Sequence, residues 1–400
     1  MNWEPPEQLG VGCWQVTPQA RRYVNQVLDS GRLSYGPVSR EFETRFAAAH
    51  GRRHGVLSNS GTSALHVALA ALAEKHGWEP GDEVIVPAVT FVASANTVLQ
   101  AGLRPVFADV DPLTYNLDPA AADAAVTGRT RAVMPVHLCG LPADMAAVMK
   151  IAAARGLRVV EDACETGFVS AGGQPVGSHG DVACFSTYVA HLIVTGVGGL
   201  SLTDDPELAT VMRSLCNHGR DPVYLSIDDD ETASLDEVVS RRFWFTRHGF
   251  SYRVTEMEAA LGLAALETRD AMLAARQVNA AALSAGLAGL AAAGVLQLPR
   301  IPPRAEHAFM MYPLVVTADG VRDDLMLYLE KRGIETRMLT PLISQPVYAG
   351  RADVLAGDFP VARYLNGHAF YIGCHQGLGE REISYMCGTI RSYFGDGGSS

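Results

Sequence analysis

Lysine is scarce in this chain of 400 residues, which contains only Lys75, Lys150 and Lys331. Basic residues as a whole are in the minority, because 43 Asp and Glu face 32 Lys and Arg and the formal net charge is −11. A protein that binds nucleic acid presents a basic surface to the phosphate backbone. The charge balance therefore argues against DNA or RNA as a partner.

Long apolar runs and cysteine pairs are also missing. The most apolar stretch, 280–298, is rich in Ala and Gly and contains Ser284 and Gln297, so we expect a packed helix and no membrane span. Residues 1–12 lack the basic and apolar regions of a secretion signal, so we expect a cytoplasmic protein. Seven cysteines without C-x-x-C spacing predict reduced, mostly buried thiols.

The hydrophobic fraction of 48% and the dispersed glycines and prolines predict a globular chain with two structural units. From about residue 53 to 202, short β-rich runs alternate with helical stretches, which predicts a mostly parallel sheet covered by helices. A long helical pattern from Glu256 to about Leu290 then leads into a region of α+β character, with strand candidates at 309–316 and 369–372. We place the boundary between residues 1–255 and 256–400. The acidic stretch 228–237 is predicted to be a loop.

Two polar segments each follow a predicted strand. The segment SNSGTSAL at 58–65 joins a strand to a helix, so that backbone N–H groups and hydroxyls converge at a positive helix terminus. It is either a phosphate-binding turn or an ordinary N-cap. Asp162 follows the apolar run 157–160 and would either hold a cationic ring nitrogen or cap the next turn.

A third segment combines a histidine with several glycines. Ser186 ends a predicted strand, His191 follows in a tight excursion, and Gly196, Gly198 and Gly199 allow close backbone approach before the next strand. A single histidine has more structural explanations than catalytic ones, and a glycine run by itself predicts only a turn.

Taken together, in this order and spacing, these segments resemble the DegT/DnrJ/EryC1/StrS family of sugar aminotransferases. The resemblance covers most of the chain. It includes PAVTFVASAN at 87–96, FADVD at 107–111, PVHLCG at 135–140, NHGR at 217–220 and GFSYRVTE at 249–256. It implies the α/β type I fold of pyridoxal-phosphate enzymes, with a mostly parallel large domain and a smaller C-terminal α+β domain. The implied cofactor is pyridoxal or pyridoxamine 5′-phosphate.

The resemblance assigns a phosphate site to the segment after the first strand. Gly61, Thr62 and Ser63 belong to this site, and the main-chain amides of Thr62 and Ser63 would meet the cofactor phosphate. Ser186 would add its hydroxyl.

The resemblance also assigns residues to the cofactor ring. Phe91 would stack on the pyridine, and Asp162 would pair with the protonated ring nitrogen, which keeps the ring an electron sink. Glu165 stands near the position where the family has a ring-flanking Gln or His.

Partners are implied as well. Relatives complete the phosphate site from a second subunit, through residues that match Asn217 and Ser251. We therefore expect a homodimer with shared active sites. The family usually has Asn at the position of Ser251. The substrate would be a nucleotide sugar, with Arg220, Arg337 and His375 as candidate contacts for its diphosphate. An amino donor such as glutamate would regenerate the amine form of the cofactor.

The chain departs from the family at residue 191. Members that transaminate have a lysine there, which bonds covalently to the cofactor, whereas His191 cannot form a stable imine. The three lysines of this chain are all predicted to lie on surface helices, so none replaces it. Histidine at this position marks the family's sugar 3-dehydratases, which remove the C3 hydroxyl of a nucleotide-linked 4-keto-6-deoxyhexose. In this respect the chain resembles the branch that includes GDP-4-keto-6-deoxymannose 3-dehydratase. His191 would then act as general base and general acid.

Two further features bear on this lyase hypothesis. One dehydratase branch carries an iron–sulfur cluster on cysteines after the NHGR segment, but no cysteine occurs between Asp221 and Arg253, so we favour the cluster-free branch and predict no metal. Val197 stands where the family has Glu. Another reaction of the same cofactor on an unusual substrate, an aminotransferase-like enzyme and a non-catalytic cofactor-binding paralogue therefore remain alternatives.

Overall fold

The computed structural model describes residues 5, 7–221, 234–339, 341–351, 355 and 357–396. The helices are α1 Pro18–Ser30, α2 Pro37–Ala49, α3 Gly61–His76, α4 Ala93–Gln100, α5 Pro119–Ala124, α6 Met145–Arg155, α7 Pro206–Cys216, α8 Leu235–Arg241, α9 Glu256–Glu267, α10 Arg269–Ala292, α11 Val321–Glu330, α12 Pro360–His368 and α13 Glu380–Asp396. The strands are β1 His54–Ser58, β2 Glu83–Pro87, β3 Arg104–Ala108, β4 Thr130–Val133, β5 Arg158–Asp162, β6 Ser170–Ala171, β7 Gln174–Pro175, β8 Val182–Ser186, β9 Gly199–Thr203, β10 Leu296–Gln297, β11 Tyr312–Val316, β12 Thr336–Met338 and β13 Ala369–Ile372.

The large sheet has seven strands in the order β1-β9-β8-β5-β4-β2-β3. β9 pairs antiparallel with β1 and with β8, and the other neighbouring pairs are parallel. The predicted mostly parallel sheet is confirmed. Since β9 is antiparallel to both of its neighbours, β1 and β8 run in the same direction as the remaining strands. All six parallel strands therefore end at one edge of the sheet, where α/β proteins bind their ligands.

The central strands are apolar because helices cover both faces of the sheet. Val84, Ile85 and Val86 of β2 are almost completely buried. Helix α3 packs against the strands and begins where Ser60 accepts a hydrogen bond from the Ser63 amide. This helix start lies directly after β1, so the fold brings a helix terminus to the carboxyl edge of the sheet.

The C-terminal region contains a second, antiparallel sheet in the order β10-β11-β13-β12. Helices α10, α11 and α13 pack with this sheet around a core that includes Tyr312, Phe370 and Leu325. The predicted α+β character of this region is confirmed, while the boundary at residue 255 stays a prediction.

Three local predictions differ from the structure. The helical pattern from Glu256 to Leu290 is interrupted at Thr268, which caps α9 and precedes α10. The strand predicted from Phe309 begins at Tyr312, because Phe309 has a positive φ of 45° that ends extended pairing. The predicted loop 228–237 falls partly outside the described residues, and its last residues already belong to α8.

The cysteines agree with the sequence prediction. All seven are free thiols, and five of them are buried.

Candidate active site

The carboxyl edge of the large sheet gathers the predicted chemical groups. β1 ends at Ser58, β5 at Asp162 and β8 at Ser186. Gly199, the first residue of β9, pairs with both Ser58 and Ser186, and the connection between β8 and β9 carries His191. We call the segments that meet here the sheet-edge cluster: residues 58–63, 91–94, 162–165 and 186–199.

The start of α3 forms a cradle for an anion. Gly61 and Thr62 occupy the first two helical positions, whose amides have no acceptor within the helix. The amide of Ser63 donates to the Ser60 hydroxyl at 3.0 Å, so the cap uses the Ser63 amide that we predicted for the phosphate. The open amides are those of Gly61 and Thr62. A Cβ at residue 61 would lie only 2.8 Å from the Ser186 Cβ, so only glycine leaves the Ser186 side chain in place.

Asp162 is a buried carboxylate at the end of β5. Its Oδ2 accepts from the Ser94 hydroxyl at 2.7 Å and its Oδ1 accepts from the Cys164 amide at 3.2 Å. Within the described residues it forms no salt bridge, and desolvation raises its pKa. A cationic N–H group would compensate this burial.

Ser94 is a site residue that the sequence reasoning did not assign. Its hydroxyl lies 2.8 Å from the Thr90 hydroxyl as well as bonding Asp162. The i, i+4 spacing of Thr90 and Ser94 in a family segment is a signal that could have identified this pair. The hydrogen bond from Ser94 holds the Asp162 carboxylate in one orientation, because a buried acceptor is oriented by the donor that it bonds.

His191 lies in the connection from β8 to β9 and is half-buried. Its amide donates to the Tyr188 carbonyl at 2.9 Å, and the Tyr188 ring stands perpendicular to the imidazole with centroids 6.1 Å apart. Nδ1 is buried and has no hydrogen-bond partner among the described residues. Burial lowers the pKa of the imidazole to about 4, although the nearby carbonyls of Ser186 and Cys164 oppose the shift. The ring is therefore neutral at pH 7 and able to accept a proton.

Glu165 and Phe91 complete the cluster. The Oε2 atom of Glu165 accepts from the Cys139 amide at 2.8 Å, and burial, with a contribution from Asp162, raises the pKa of Glu165 to about 7. Phe91 leaves 61% of its surface exposed although it lies only two residues before the buried first residue of α4, Ala93. An exposed aromatic face at the sheet edge is available for stacking on a planar ring.

Asn217, Ser251 and Arg220 line a cavity of about 620 Å³. This cavity adjoins the sheet-edge cluster, because the Asn59 amide donates to the Tyr252 carbonyl at 2.7 Å. The backbones of Asn217 and Ser251 form an isolated bridge, and the Arg220 guanidinium lies 5.3 Å from the Phe243 ring centroid and 5.6 Å from that of Phe245. The lining of this cavity includes no residue of the sheet-edge cluster. Their role in completing a second subunit's site stays a prediction.

The two remaining candidates for diphosphate binding lie in the C-terminal region. Arg337 is an exposed residue of β12 that pairs with Glu335. His375 is buried, with Nε2 lying 3.0 Å from the Gly10 carbonyl and Nδ1 accepting from the Gly377 amide. The predicted substrate contact of His375 therefore does not agree with the structure, because both ring nitrogens are already bonded to the backbone.

Residues 15–391 match the DegT/DnrJ/EryC1/StrS aminotransferase family. The chain belongs to this family. Family membership confirms the resemblance inferred from the sequence, together with the type I fold and pyridoxal phosphate as the family's cofactor.

Three DegT-family proteins illustrate the similarity. GDP-perosamine synthase of Caulobacter vibrioides is 37% identical, with 96% of this chain and 97% of that protein covered. The dTDP-4-dehydro-2,6-dideoxy-D-glucose 3-dehydratase of Saccharopolyspora spinosa is 33% identical, with 90% and 81% covered. The E. coli GDP-4-keto-6-deoxy-D-mannose-3-dehydratase with bound hydrated PLP has a TM-score of 0.85 at 26% identity, with 96% and 99% covered.

The sheet-edge cluster fits the DegT-family cofactor. The open amides of Gly61 and Thr62 suit a phosphate, Asp162 suits a protonated pyridine nitrogen, and exposed Phe91 suits an aromatic face. The buried Nδ1 of His191 has no partner within the described chain.

No lysine lies in this DegT-family cluster. Lys75 pairs with Asp205 and Glu207 at the end of α3, and Lys150 and Lys331 are exposed. The predicted surface placement of all three is confirmed, so His191 has no lysine beside it.

Val197, which stands where the DegT family has Glu, is also exposed at this edge of the sheet. Val197 leaves 52% of its surface exposed, in the turn that follows the Tyr188–Gly196 bridge. Nothing in the structure explains the absence of a carboxylate here.

None of the helices in the described ranges is long and apolar enough to cross a membrane. The same residues contain no group of three or more His, Cys, Asp or Glu arranged to hold a metal ion. The cytoplasmic location stays a prediction.

Proposed function

We propose that this chain is a nucleotide-sugar 3-dehydratase that uses pyridoxal or pyridoxamine 5′-phosphate and no iron–sulfur cluster. The observation that carries the proposal is the histidine at the family's lysine position. His191 lies in the sheet-edge cluster, and the three lysines lie outside it. A covalent link between protein and cofactor would require a lysine amine at this position.

Several side chains and amides would hold the cofactor. Gly61 and Thr62 would bind the phosphate through their amides, with the Ser186 hydroxyl beside them. Asp162, fixed by Ser94, would keep the proton on the ring nitrogen. When bound, the cofactor supplies an electron sink for the carbon attached to its ring.

His191 would perform the proton transfers. Its lowered pKa of about 4 leaves the imidazole unprotonated at neutral pH, so it begins as a proton acceptor. Once protonated, an imidazole with this pKa gives its proton up readily, and the C3 hydroxyl oxygen of the substrate needs a proton in order to leave as water. One side chain can therefore serve both halves of a dehydration.

The substrate class is a nucleotide-linked 4-keto-6-deoxyhexose. It is supported by the names of the relatives, which include a GDP-linked and a dTDP-linked sugar enzyme. Arg220 and Arg337 remain candidates for the diphosphate. The amino donor would be an amino acid such as glutamate.

A homodimer with shared active sites is part of the same proposal. Asn217 and Ser251 line a cavity beside β1, and the Asn59 amide of the sheet-edge cluster donates to the carbonyl of the neighbouring Tyr252 at 2.7 Å. The resemblance to relatives that complete the phosphate site from a second subunit supports a role for the two residues there.

Transamination is a second candidate function, favoured by the 37% identity to a GDP-perosamine synthase. Family members that transaminate have a lysine at the position of His191, which bonds covalently to the cofactor and carries its proton. This chain has no lysine at that position, so dehydration is the better-supported function.

The test is an incubation of the purified protein with pyridoxal phosphate, glutamate and a panel of GDP-, dTDP- and UDP-linked 4-keto-6-deoxy sugars. A dehydratase releases a 3-deoxy-4-keto sugar and ammonia, whereas an aminotransferase yields a 4-amino sugar that retains the C3 oxygen. Mass spectrometry distinguishes the products, because the 3-deoxy-4-keto sugar has lost its C3 oxygen and gained no nitrogen, whereas the 4-amino sugar has gained a nitrogen in place of the ketone oxygen.

The control for this assay is Asp162→Asn, which keeps the size of the side chain and removes the charge that would hold the ring proton. Product formation should collapse in the variant. A 4-amino product from the wild type would replace the dehydratase proposal with transamination. Cofactor uptake without any product would indicate a binding paralogue.

A further inference from the structure

The segment that precedes the first helix runs from the C-terminal region to the turn that carries His191. We call its residues 9–13 the N-terminal strap. The strap lies outside the match to the DegT family, which begins at residue 15. None of its residues has a role in the proposed reaction, so the contacts that hold it in place need an explanation of their own.

The start of the strap is attached to the C-terminal region by hydrogen bonds. Leu9 forms a parallel bridge with Ile334. The Leu9 amide donates to the Gly333 carbonyl at 2.7 Å, and the Leu9 carbonyl accepts from the Glu335 amide at 3.0 Å. The Val11 amide then donates to Oε2 of Glu335 at 2.7 Å. These bonds fix the strap beside the residues that directly precede β12.

His375 holds the middle of the strap. Because its Nδ1 accepts from the Gly377 amide, Nε2 carries the proton and donates to the Gly10 carbonyl at 3.0 Å. The packing around this carbonyl is tight, since a Cβ at residue 373 would collide with the same oxygen. The buried histidine is therefore an anchor for the strap.

The other end of the strap packs against the residue that precedes His191. A Cβ at residue 12 would lie 3.0 Å from the Cα of Ala190, 3.3 Å from its Cβ and 3.4 Å from its carbonyl oxygen. Gly12 does not belong to the glycines with a positive φ, so a left-handed backbone does not account for glycine at this position. The close approach to Ala190 does account for it.

The turn that Gly12 contacts is held firmly at its base. The Thr195 amide donates to the Thr187 carbonyl at 2.9 Å, and the two hydroxyls lie 2.6 Å apart. At the tip, the His191 amide donates to the carbonyl of Tyr188, whose side chain is exposed. The contact with Gly12 therefore restrains the turn at its tip, next to the imidazole.

Arg276 of α10 is a buried cation close to the parts that meet here. Burial lowers the pKa of His375 and of His191 to about 4, and the charge of Arg276 contributes to both shifts. Burial raises the pKa of Cys13, the last residue of the strap, and Arg276 opposes that shift. The strap, residue 375 and the turn thus lie around the same guanidinium.

We propose that Gly12 is a positioning residue, which holds Ala190 and thereby the imidazole of His191 in place at the sheet edge. Glu335 and His375 anchor the strap on the C-terminal region. The inference rests on the proposed role of His191 in proton transfer. Side chains larger than glycine at residue 12 should displace the imidazole without weakening cofactor binding, because the phosphate and ring contacts come from other residues.

The test compares Gly12→Ala and Gly12→Val with the wild type in kcat, in KM for the nucleotide sugar and in the dissociation constant of pyridoxamine 5′-phosphate. A misplacement of about 1 Å can cost about 10²-fold in rate. We expect kcat to fall about tenfold in Gly12→Ala, where Ala190 must give way by a few tenths of an ångström, and about 10²-fold in Gly12→Val. KM and the cofactor constant should change by less than about twofold, because a displaced base lowers kcat and kcat/KM together.

A rescue experiment tests whether the effect passes through Ala190. Ala190→Gly removes one of the three atoms that a Cβ at residue 12 approaches, so Gly12→Ala combined with Ala190→Gly should recover part of the lost kcat. A protein impaired only by lower stability would be impaired further, because an added glycine makes the unfolded chain more flexible. Failure of the double variant to recover any kcat would overturn the proposal.

The anchor is tested at His375. His375→Phe removes the donor to the Gly10 carbonyl and should lower kcat at an unchanged KM, whereas His375→Gln keeps an N–H donor and should lose less. An increase in KM with unchanged kcat in His375→Phe would instead indicate a substrate contact and would contradict the anchoring role.

Gln8→Ala is the matched control, because Gln8 directly precedes the strap and its exposed side chain bonds Glu330. It should retain the wild-type kcat. Hydrogen exchange of a peptide covering 186–199 gives a readout without turnover: exchange should be faster in Gly12→Val and unchanged in Gln8→Ala. Wild-type kcat together with wild-type exchange in Gly12→Val would overturn the proposal. If the wild type releases no product, the proposed reaction is wrong, and faster exchange in Gly12→Val still supports the positioning of the turn by the strap.

Discussion

Replacing His191 by Asn tests the centre of the proposed chemistry. Asn is polar and of similar size, but it cannot exchange protons near neutral pH. The backbone bond from residue 191 to the Tyr188 carbonyl does not involve the side chain, so the turn should persist. Cofactor binding should persist too, because the phosphate and ring contacts come from other residues.

The expected loss follows from the position of the imidazole. A positioned acid or base contributes about 10²- to 10⁴-fold to a rate, which corresponds to about 3–5.5 kcal/mol of activation free energy. The buried Nδ1 and the pKa of about 4 indicate a ring that is kept neutral for this task. Wild-type activity should therefore decline on the acid side near pH 4, and not near 6.5 as for an ordinary histidine.

The assay follows ammonia and 3-deoxy-4-keto sugar for the wild type, His191→Asn and His191→Lys, with cofactor occupancy measured by absorbance. His191→Lys introduces an amine at the family's lysine position, so borohydride should trap a pyridoxyl adduct detectable by intact mass. The same treatment of the wild type should give no adduct. His179→Asn is the matched control, since His179 is half-buried and lies outside the sheet-edge cluster, in the segment before β8.

Two results would refute the reasoning. If His191→Asn turns over at the wild-type rate, the imidazole is not the acid or base of the reaction. If borohydride attaches the cofactor to a wild-type lysine, then a lysine reaches the site and the structural separation of all three lysines is wrong.

Three further outcomes are expected. Gly61→Ala places a methyl group 2.8 Å from the Ser186 Cβ, so the cofactor-free protein should lose about 1–3 kcal/mol of stability by overpacking, and cofactor affinity should fall because Ser186 is displaced. Gly289→Ala, in an open part of α10, should instead raise the melting temperature, and equal behaviour of the two variants would contradict the cradle. Asp162→Asn should keep the fold by circular dichroism and lower turnover by about 10²-fold or more, whereas wild-type turnover would make the carboxylate merely structural. The raised pKa of Glu165, about 7 against an ordinary 4.5, favours its protonated form in the folded state, so the cofactor-free protein should lose about 2.5 kcal/mol of stability as the pH rises from 4.5 to 7. Urea unfolding of Glu165→Gln should lack that loss, and identical pH dependence in both proteins would show that the carboxyl group is not desolvated.

The sequence predicts much of this site because strand ends and motifs are local features. Alternating β and helical runs predict a parallel sheet, and a parallel sheet brings the ends of its strands to one edge. Asp162, Ser186 and His191 were therefore identifiable from their positions after apolar runs, once the order of the motifs indicated the family. The substitution of His191 for lysine is likewise visible in the sequence.

Other properties of the site depend on which hydrogen bonds form in the folded chain. The Ser63 amide is used by the helix cap, which makes Gly61 and Thr62 the open donors. His375 turns inward because its ring nitrogens bond the backbone of Gly10 and Gly377. The sequence offers the helix cap only as one of two interpretations, and no sequence pattern indicates the bond between His375 and Gly10, because it joins residues 365 apart in the chain.

The sequence by itself determined the family, the fold class and the identity of the residue at the family's lysine position. Only the tertiary structure decided the protonation states, because a pKa depends on burial and on neighbouring charges from other elements. His191 is neutral and Glu165 titrates near pH 7 for this reason. These two side chains lose their contact with water because segments distant in the sequence surround them, and those segments come together only after the chain has folded.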